Sequence, residues 1–470
     1  MKSVLAVLPL LGSLCLSLAH TASAEKPQDR HVVLICVDGL PAALFDDPNA
    51  PMPTIRKLAA AGVLAEGMIP ANPSVTWPNH TSMTTGVWPE RHGVLFNGVL
   101  ERGGPGAPVK VNPNKDQSEL VHAQTIYGVL HAAKLKTAAI NWPCTRNTDT
   151  LDDNFPDVPD AITHSTPRLI ADLKEKGLAT EAEIGGFSKI STPIRDRIWT
   201  DAACHIIRER MPSLLLLHVL NVDGIHHRYG PQTPAGYSAV AYADSCVKEV
   251  VEAIDAAGMR ESTTIFIVSD HGFMTIPQTL QPNVVLRQAG LLTEEQRTVT
   301  SARAQAVPEG GIAMVYLTDR EKAADDRETV IRLFRDRPEV AAVLTAEDFA
   351  KHGLPQPDDY PQMADLILVA KDGYGFNATA YGEEFVVKSE TTLGTHGFLA
   401  TNPKMNATFV AAGRGIPQGK KIGIVKNIDV APTIASLLGV ALPSADGQVL
   451  TATFEAGKAQ SDSSEKLKSK

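Results

Sequence analysis

The sequence predicts an α/β protein: a sheet with helices on both faces, carrying a smaller α+β cap as an insert. Three observations predict it. Apolar runs of strand length alternate with helix-like stretches from His31 to His271, the pattern of a sheet covered on both sides. Several of those runs end in Asp or His. Between His271 and His396 a long excursion brings strands and a helix of its own.

The elements follow in order. From His31, VVLICVDG is a continuous apolar run closed by Asp38 and reads as a buried parallel strand. PTIRKLAAA, Pro53 to Ala61, reads as a helix stopped by Gly62. A helical stretch near Ile126–Ala133 leads to the strand-like TAAINWP from Thr137. After Pro212, SLLLLHVLNVDG reads as another buried strand ending in Asp, and Tyr237 to Ala257 as a helix. TTIFIVSDHG is a third strand, ending at Asp270 with His271 beside it. Ligands of open α/β sheets bind outside the carboxyl ends of the strands. Asp38, Asp223, Asp270 and His271 are therefore expected to converge on one edge. Within the excursion, GIAMVYLT near Gly311, VAAVLT near Val340 and ADLILVAK near Ala364 are strand-like, and Glu321–Asp336 is helix-like.

The N-terminus has Lys2, an apolar run from Val4 to Leu18 and then Thr21-Ala22-Ser23-Ala24. That is the pattern of a signal peptide, with cleavage expected after Ala24. The run is too short to span a membrane comfortably. A mature chain without membrane anchor, periplasmic or secreted, is expected. The expected division is a signal peptide at 1–24, a catalytic domain at 25–274 and 391–455, a cap insert at 275–390 and a polar, disordered tail at 456–470. Four cysteines remain: Cys36, Cys144, Cys204 and Cys246. Export permits disulfides, and the three possible pairings stay open. Cys36, inside a strand, reads as a small buried hydrophobe.

Composition narrows the function. The chain of 470 residues is 43% hydrophobic and 21% charged, ordinary values for a folded soluble protein. Its length suits one large domain with an insert, or two domains. Net charge is −9, from 44 basic and 53 acidic residues, so no basic excess argues for a nucleic-acid surface. Affinity for a phosphate group must then come from a local site.

The residues for such a site are Asp38, Thr76, Asp223, His227, Asp270, His271 and His396. Zinc accepts carboxylate oxygen and imidazole nitrogen in tetrahedral shells. Three acids and three histidines divide into two shells, and two metals can clamp the attacking and leaving oxygens of an in-line displacement. A threonine alcohol is a poor nucleophile until a divalent metal lowers its pKa. Thr76 precedes a helix-like stretch, so it could sit at a helix N-terminus, where backbone dipoles favour negative charge. Asn97 could supply an amide donor to a phosphoryl oxygen. Each residue also has a plainer reading. Asp38, Asp270 and Thr76 could cap helices, Asn97 could support a turn beside Gly98, and Trp77 could be core. His80, His92 and His226 read as structural or supporting, and His218 as a satisfied core histidine.

The runs VDG, SVTWPNHTSMTTG, RHGVLFNG, DGIHHRYGP, SDHGF and THGF, in that order, resemble the nucleotide pyrophosphatase/phosphodiesterase family of the alkaline phosphatase superfamily. NIDVAPTIASLLGV resembles its C-terminal helix. The resemblance implies an alkaline-phosphatase-like fold and two zinc ions, one on Asp223, His227 and His396, the other on Asp38, Asp270 and His271. It implies Thr76 as the residue attacking phosphorus, Asn97 on a phosphate oxygen and Trp77 beside a nucleobase or other leaving group. The activity implied is hydrolysis of small-molecule phosphodiester or pyrophosphate bonds through a phosphothreonine intermediate. There are departures. His226 stands where the family often has Gly, so either imidazole of the pair could be the ligand, with spacing favouring His227. His218 stands where many nucleotide-cleaving relatives carry an aromatic residue. The Lys-x-Arg pair of monoester specialists is absent from Trp142-Pro143-Cys144, with Arg146 just beyond, which leans toward diesters. A phosphomonoesterase and a phosphonate hydrolase are the alternatives on this scaffold. A non-catalytic exported binding protein would be expected to lose Thr76 or some ligands, and this chain retains them.

Overall fold

The computed structural model describes residues 29–454; the expected signal peptide and the tail at 456–470 lie outside the described residues. The main sheet begins with β1 (His31–Val37), β2 (Val63–Ala65), β3 (Thr137–Trp142), β4 (Asp153–Pro156), β5 (Leu214–Val219) and β6 (Thr263–Val268). The excursion contributes β7 (Ala304–Pro308), β8 (Ile312–Leu317), β9 (Val340–Thr345) and β10 (Leu366–Ala370). The chain then returns to the main sheet with β11 (Phe409–Gly413) and β12 (Lys420–Ile422). The order across the main sheet is β12–β2–β11–β6–β1–β5–β3–β4. Pairing is parallel from β6 through β4, and β11 runs antiparallel to both its neighbours.

Eight helices are needed to describe the packing: α1 (Pro53–Ala61), α2 (Thr76–Thr85), α3 (Ile126–Ala132), α4 (Thr192–Arg210), α5 (Asn221–Tyr229), α6 (Pro234–Ala256), α7 (Ala323–Phe334) and α8 (Val430–Leu438). The period of two along β1 sorts its side chains between two cores. Val33, Ile35 and Val37 pack with Ile55 of α1, Ile198 of α4 and Val240 of α6. Val32, Leu34 and Cys36 pack with Met83 of α2, Leu130 of α3 and Ile434 of α8. Burial on both faces is why β1 reads as an unbroken apolar run.

The excursion folds as a four-stranded antiparallel sheet, β7–β8–β10–β9. Val330 and Phe334 of α7 pack on one face, against Ala313, Val315, Leu366 and Leu368. The other face, Ile312, Met314, Tyr316 and Ile367, packs against Leu95. Arg102 fastens the seam, donating to Asp365 Oδ2 at 2.6 Å and lying 4.7 Å above the Tyr316 ring. The four cysteines are all buried and free.

Two details depart from the sequence reading. Asp223 does not end a strand: β5 stops at Val219, and Asp223 lies in the first turn of α5. The cause is Asp196 of α4, whose two carboxylate oxygens accept the N–H groups of Leu220 and Asn221 at 2.9 Å each. Those are donors that a helix start leaves without a partner. Strand β11, whose antiparallel pairing closes the far side of β6, was not read at all.

Candidate active site

At the carboxyl edge of β1 and β6 the chain turns sharply and leaves Asp38 and Asp270 side by side, both fully buried. Asp270 is fixed through one oxygen. Its Oδ1 accepts the N–H groups of Gly39 and His271 at 3.1 Å each. Its Oδ2 lies 3.2 Å from His271 Nε2. Asp38 Oδ1 lies 3.4 Å from the same nitrogen. Asp38 Oδ2 is 2.9 Å from His218 Nε2. Asp223 Oδ1, brought in by α5, stands 3.4 Å from both His227 Nε2 and His396 Nε2. The rings of His271 and His396 stack, with centroids 3.6 Å apart.

Each of these three histidines is oriented by a backbone carbonyl at its other nitrogen. His227 Nδ1 faces Gly394 O at 3.1 Å, His396 Nδ1 faces Ser74 O at 2.9 Å, and His271 Nδ1 faces Gly272 O at 3.1 Å. A carbonyl only accepts, so Nδ1 carries the proton and Nε2 presents its lone pair to the acids. Burial, then the nearby rings of His271 and His227, push His396 well below the usual imidazole range and keep it neutral. Burial, then the Asp270 carboxylate, raise Asp38 well above the usual carboxylate range. On Asp270 burial also acts upward, but the rings of His271, His80 and His218 outweigh it and hold it low.

Asp38 Oδ1, Asp270 Oδ2, Asp223 Oδ1 and His271 Nε2 are buried and have no hydrogen-bond partner. Buried polar atoms are nearly always paired, and lone pairs pointing at each other without a donor call for a cation. Two trios bring their ligand atoms within 4.8 Å of one another: Asp38, Asp270 and His271, and Asp223, His271 and His396. The residues thus fit divalent metals. The first trio matches one expected set. In the second, His271 takes the place expected for His227, which meets Asp223 from the more open side with its side chain 33% exposed. His226 turns instead to the Gly39 carbonyl at 3.2 Å, and burial pushes it down to about 4.

Thr76 is the first residue of α2, with Val75 extended before it. The approach is braced by Asn79, which accepts the Ala71 N–H at 2.7 Å and donates to Pro73 O and Val75 O at 3.0 and 2.8 Å. Asn97 is exposed, and its Oδ1 accepts the Trp77 N–H at 2.8 Å. Its amide nitrogen is thereby left as the donor near Thr76. Trp77 is buried, and its indole N–H donates to Asp157 Oδ2 at 3.1 Å. One edge of it lines a cavity of about 370 Å³ shared with Asn141, Asp157, Phe187, Arg195 and Trp199. Arg146 is held by Asp116 at 3.1 Å.

The sequence reading missed Asp157, Phe187 and Trp199 in this cavity, which no motif marks. It also missed the bond from His218 to Asp38. A signal for that one existed: His218 is the single polar residue in the run LLLLHV of β5.

Comparison with known proteins places the chain in a family. A family model described as type I phosphodiesterase / nucleotide pyrophosphatase matches residues 32–399. The chain is 24% identical over 412 residues to an ectonucleotide pyrophosphatase/phosphodiesterase of Caenorhabditis elegans, covering 87% of this chain and 43% of that one. It is 23% identical over 424 residues to an uncharacterized pyrophosphatase/phosphodiesterase of Schizosaccharomyces pombe, covering 87% and 76%. With venom phosphodiesterase 2 of Crotalus adamanteus it shares 23% over 269 residues, covering 56% and 29%. The chain therefore spans less than half the length of the worm and venom proteins. Among solved structures, human ectonucleotide pyrophosphatase / phosphodiesterase 5 superposes with a TM-score of 0.67 at 17% identity, over 91% of this chain and 100% of that one. The murine protein, in an inactive form in complex with AMP, gives 0.68 at 15%, with the same coverage. Likeness at that identity establishes the shared alkaline-phosphatase-like fold. The family match runs from β1 past His396 and contains the whole cluster of acids, imidazoles and Thr76, so the chain belongs to the type I phosphodiesterase/nucleotide pyrophosphatase family.

Proposed function

We propose that this protein hydrolyses phosphodiester or pyrophosphate bonds of small molecules, with Thr76 as nucleophile and two zinc ions as cofactors. The observation that carries the reading is the set of buried, unpartnered acid and imidazole atoms, linked to the start of α2 by His80, whose Nδ1 faces Thr76 O at 2.9 Å and lies 3.7 Å from Asp270 Oδ2. Asp38, Asp270 and His271 would hold one ion, and Asp223, His227 and His396 the other. When bound, such ions neutralise phosphoryl charge and make a threonine alkoxide accessible at neutral pH.

The remaining work falls to the chain. Thr76 Oγ1 attacks phosphorus, and its new bond to phosphorus forms as the bond to the leaving oxygen breaks. The N–H groups at the start of α2 favour the negative charge that gathers there. The Asn97 amide donates to a non-bridging oxygen. Water then cleaves the phosphothreonine and restores the alcohol. Catalysis here is chiefly positioning and charge stabilisation. The cavity beside Trp77, walled by Phe187 and Trp199, supports a planar leaving group, and the AMP bound by the murine relative supports a nucleotide. Arg146 pairs with Asp116 and no Lys-x-Arg pair is present, which favours diesters over doubly charged monoesters.

Thr76→Ala should abolish turnover of bis-p-nitrophenyl phosphate while zinc content stays near the wild-type value; near-normal activity in that variant refutes the nucleophile. Side-by-side rates on p-nitrophenyl phosphate separate the monoesterase alternative, and phosphate release from an alkyl phosphonate separates the third. Export is supported by Lys2, the apolar run and the Thr21–Ala24 segment. No helix among the described residues is long and apolar enough to cross a membrane. Sequencing the N-terminus of the mature protein tests cleavage after Ala24.

A further inference from the structure

Strand β3 carries an irregularity one residue before its end. Asn141 has φ of 55°, a left-handed conformation, inside a strand. The pairing of β3 with β4 slips between Ile140 and Trp142. Such bulges re-aim a side chain at the functional edge of a sheet. Here Asn141 is turned onto β5. Its Nδ2 donates to His218 O at 3.2 Å and reaches His218 Nδ1 at 3.3 Å. The Asn141 carbonyl lies 3.0 Å from that same ring nitrogen. The His80 ring, with its centroid 4.3 Å away, packs beside the imidazole. So held, His218 Nε2 stands 2.9 Å from Asp38 Oδ2. Asn141, His218 and Asp38 are all at 0% exposure.

The two acids of the Asp38, Asp270 and His271 trio are pinned by different means. Asp270 has two backbone N–H groups on its outer oxygen. Asp38 Oδ2 is held instead by a side chain, His218 Nε2 at 2.9 Å. A carboxylate that is free to rotate can offer a cation either oxygen or both. A hydrogen-bond partner fixed on one oxygen commits the other, and partners of this kind tune metal retention. A histidine in the otherwise apolar run of β5 also carries a desolvation cost that packing alone does not explain.

We propose that His218, braced by the Asn141 bulge, is a positioning residue that presents Asp38 as a one-oxygen ligand and sets how tightly the ion at Asp38, Asp270 and His271 is kept. The inference rests on the metal reading above. Its test uses the full-length protein, wild type and His218→Phe, His218→Gln and Asn141→Gly, dialysed against a graded zinc chelator, with zinc per chain measured by mass spectrometry. His218→Phe keeps a ring and removes both hydrogen-bonding nitrogens. It should release one of two zinc equivalents at a chelator concentration about 10- to 100-fold lower than wild type, with the second equivalent unmoved. His218→Gln retains an N–H and should recover part of that loss. Asn141→Gly accepts the left-handed backbone, removes only the amide, and should fall between wild type and His218→Phe. Equal chelator resistance in wild type and all three variants overturns the positioning role and leaves the metal reading intact. Wild-type protein that binds no divalent metal at all overturns the reading beneath it. If His218→Phe fails to fold, the Gln and Gly variants decide the question by the same measurement.

Discussion

Asn97 shows how one residue can be separated from its plainer role. It is exposed, so its side chain contributes little to packing, yet its oxygen is committed to the Trp77 N–H at 2.8 Å. That bond commits the oxygen and leaves the amide nitrogen as the end that can donate. A preorganised donor aimed at a charged transition state is worth about 10²–10³ in kcat. Asn97→Ala should therefore lower kcat by about that factor, with a smaller change in KM and a nearly unchanged melting temperature. Steady-state kinetics beside thermal unfolding checks it. A variant with a lower melting temperature and an intact kcat would mean that Asn97 only supports the turn at Gly98. Gly397 makes the opposite point, since its constraint is the backbone. It has φ of +75°, and a Cβ there would stand 1.6 Å from Glu309 O. Only a glycine lets the segment just after His396 pass this close to the insert.

At the scale of elements, α5 is where sequence and structure part. Strands β1 and β6 were legible because both faces of each are buried, which forces a continuous apolar run. Asp38, Asp270 and His271 were legible because they close those runs. Asp223 was found as a residue but placed on the wrong element. The group that starts α5 is Asp196, which lies 24 and 25 positions from the two N–H groups it accepts. No local pattern announces a cap supplied by another helix. His218 escaped for a related reason: its role depends on a bulge at Asn141 that periodicity does not reveal. Strand β11 is short, and its place is set by antiparallel pairing with β2 and β6. The Asp196 cap has a measurable consequence. Asp196→Ala leaves two N–H groups at the helix start without an acceptor and should cost about 2 kcal/mol in urea unfolding. Because α5 carries Asp223 and His227, the same variant should hold zinc more weakly at that set, read by chelator titration. Unchanged stability would mean that α5 is set by its contacts with α6 instead.

The molecule as a whole concentrates negative charge where the sheet ends. Three carboxylates, just after β1, just after β6 and in the first turn of α5, meet around His271. Two backbone N–H groups meet Asp270 Oδ1, but Asp38 Oδ1, Asp270 Oδ2 and Asp223 Oδ1 are buried without a hydrogen-bond partner, and burial keeps the adjacent His396 neutral. The fold therefore carries a local cost that bound cations would relieve. A ligand that binds only the folded state at a thousand times its Kd adds about 4 kcal/mol. Two such ions would make the folded protein markedly more stable than its metal-free form. Exhaustive chelation should lower the melting temperature by several degrees, and zinc added back should restore it before activity is assayed. Thr76→Ala should show the same shift, because the role proposed for its alcohol is in the chemistry and not in holding the ions. Asp38→Asn or Asp270→Asn should show a smaller shift on chelation, having lost part of both the charge and the metal. A melting temperature unmoved by chelator in the wild-type protein would mean that the acids are balanced by protons, and that the cluster does not need metal to fold.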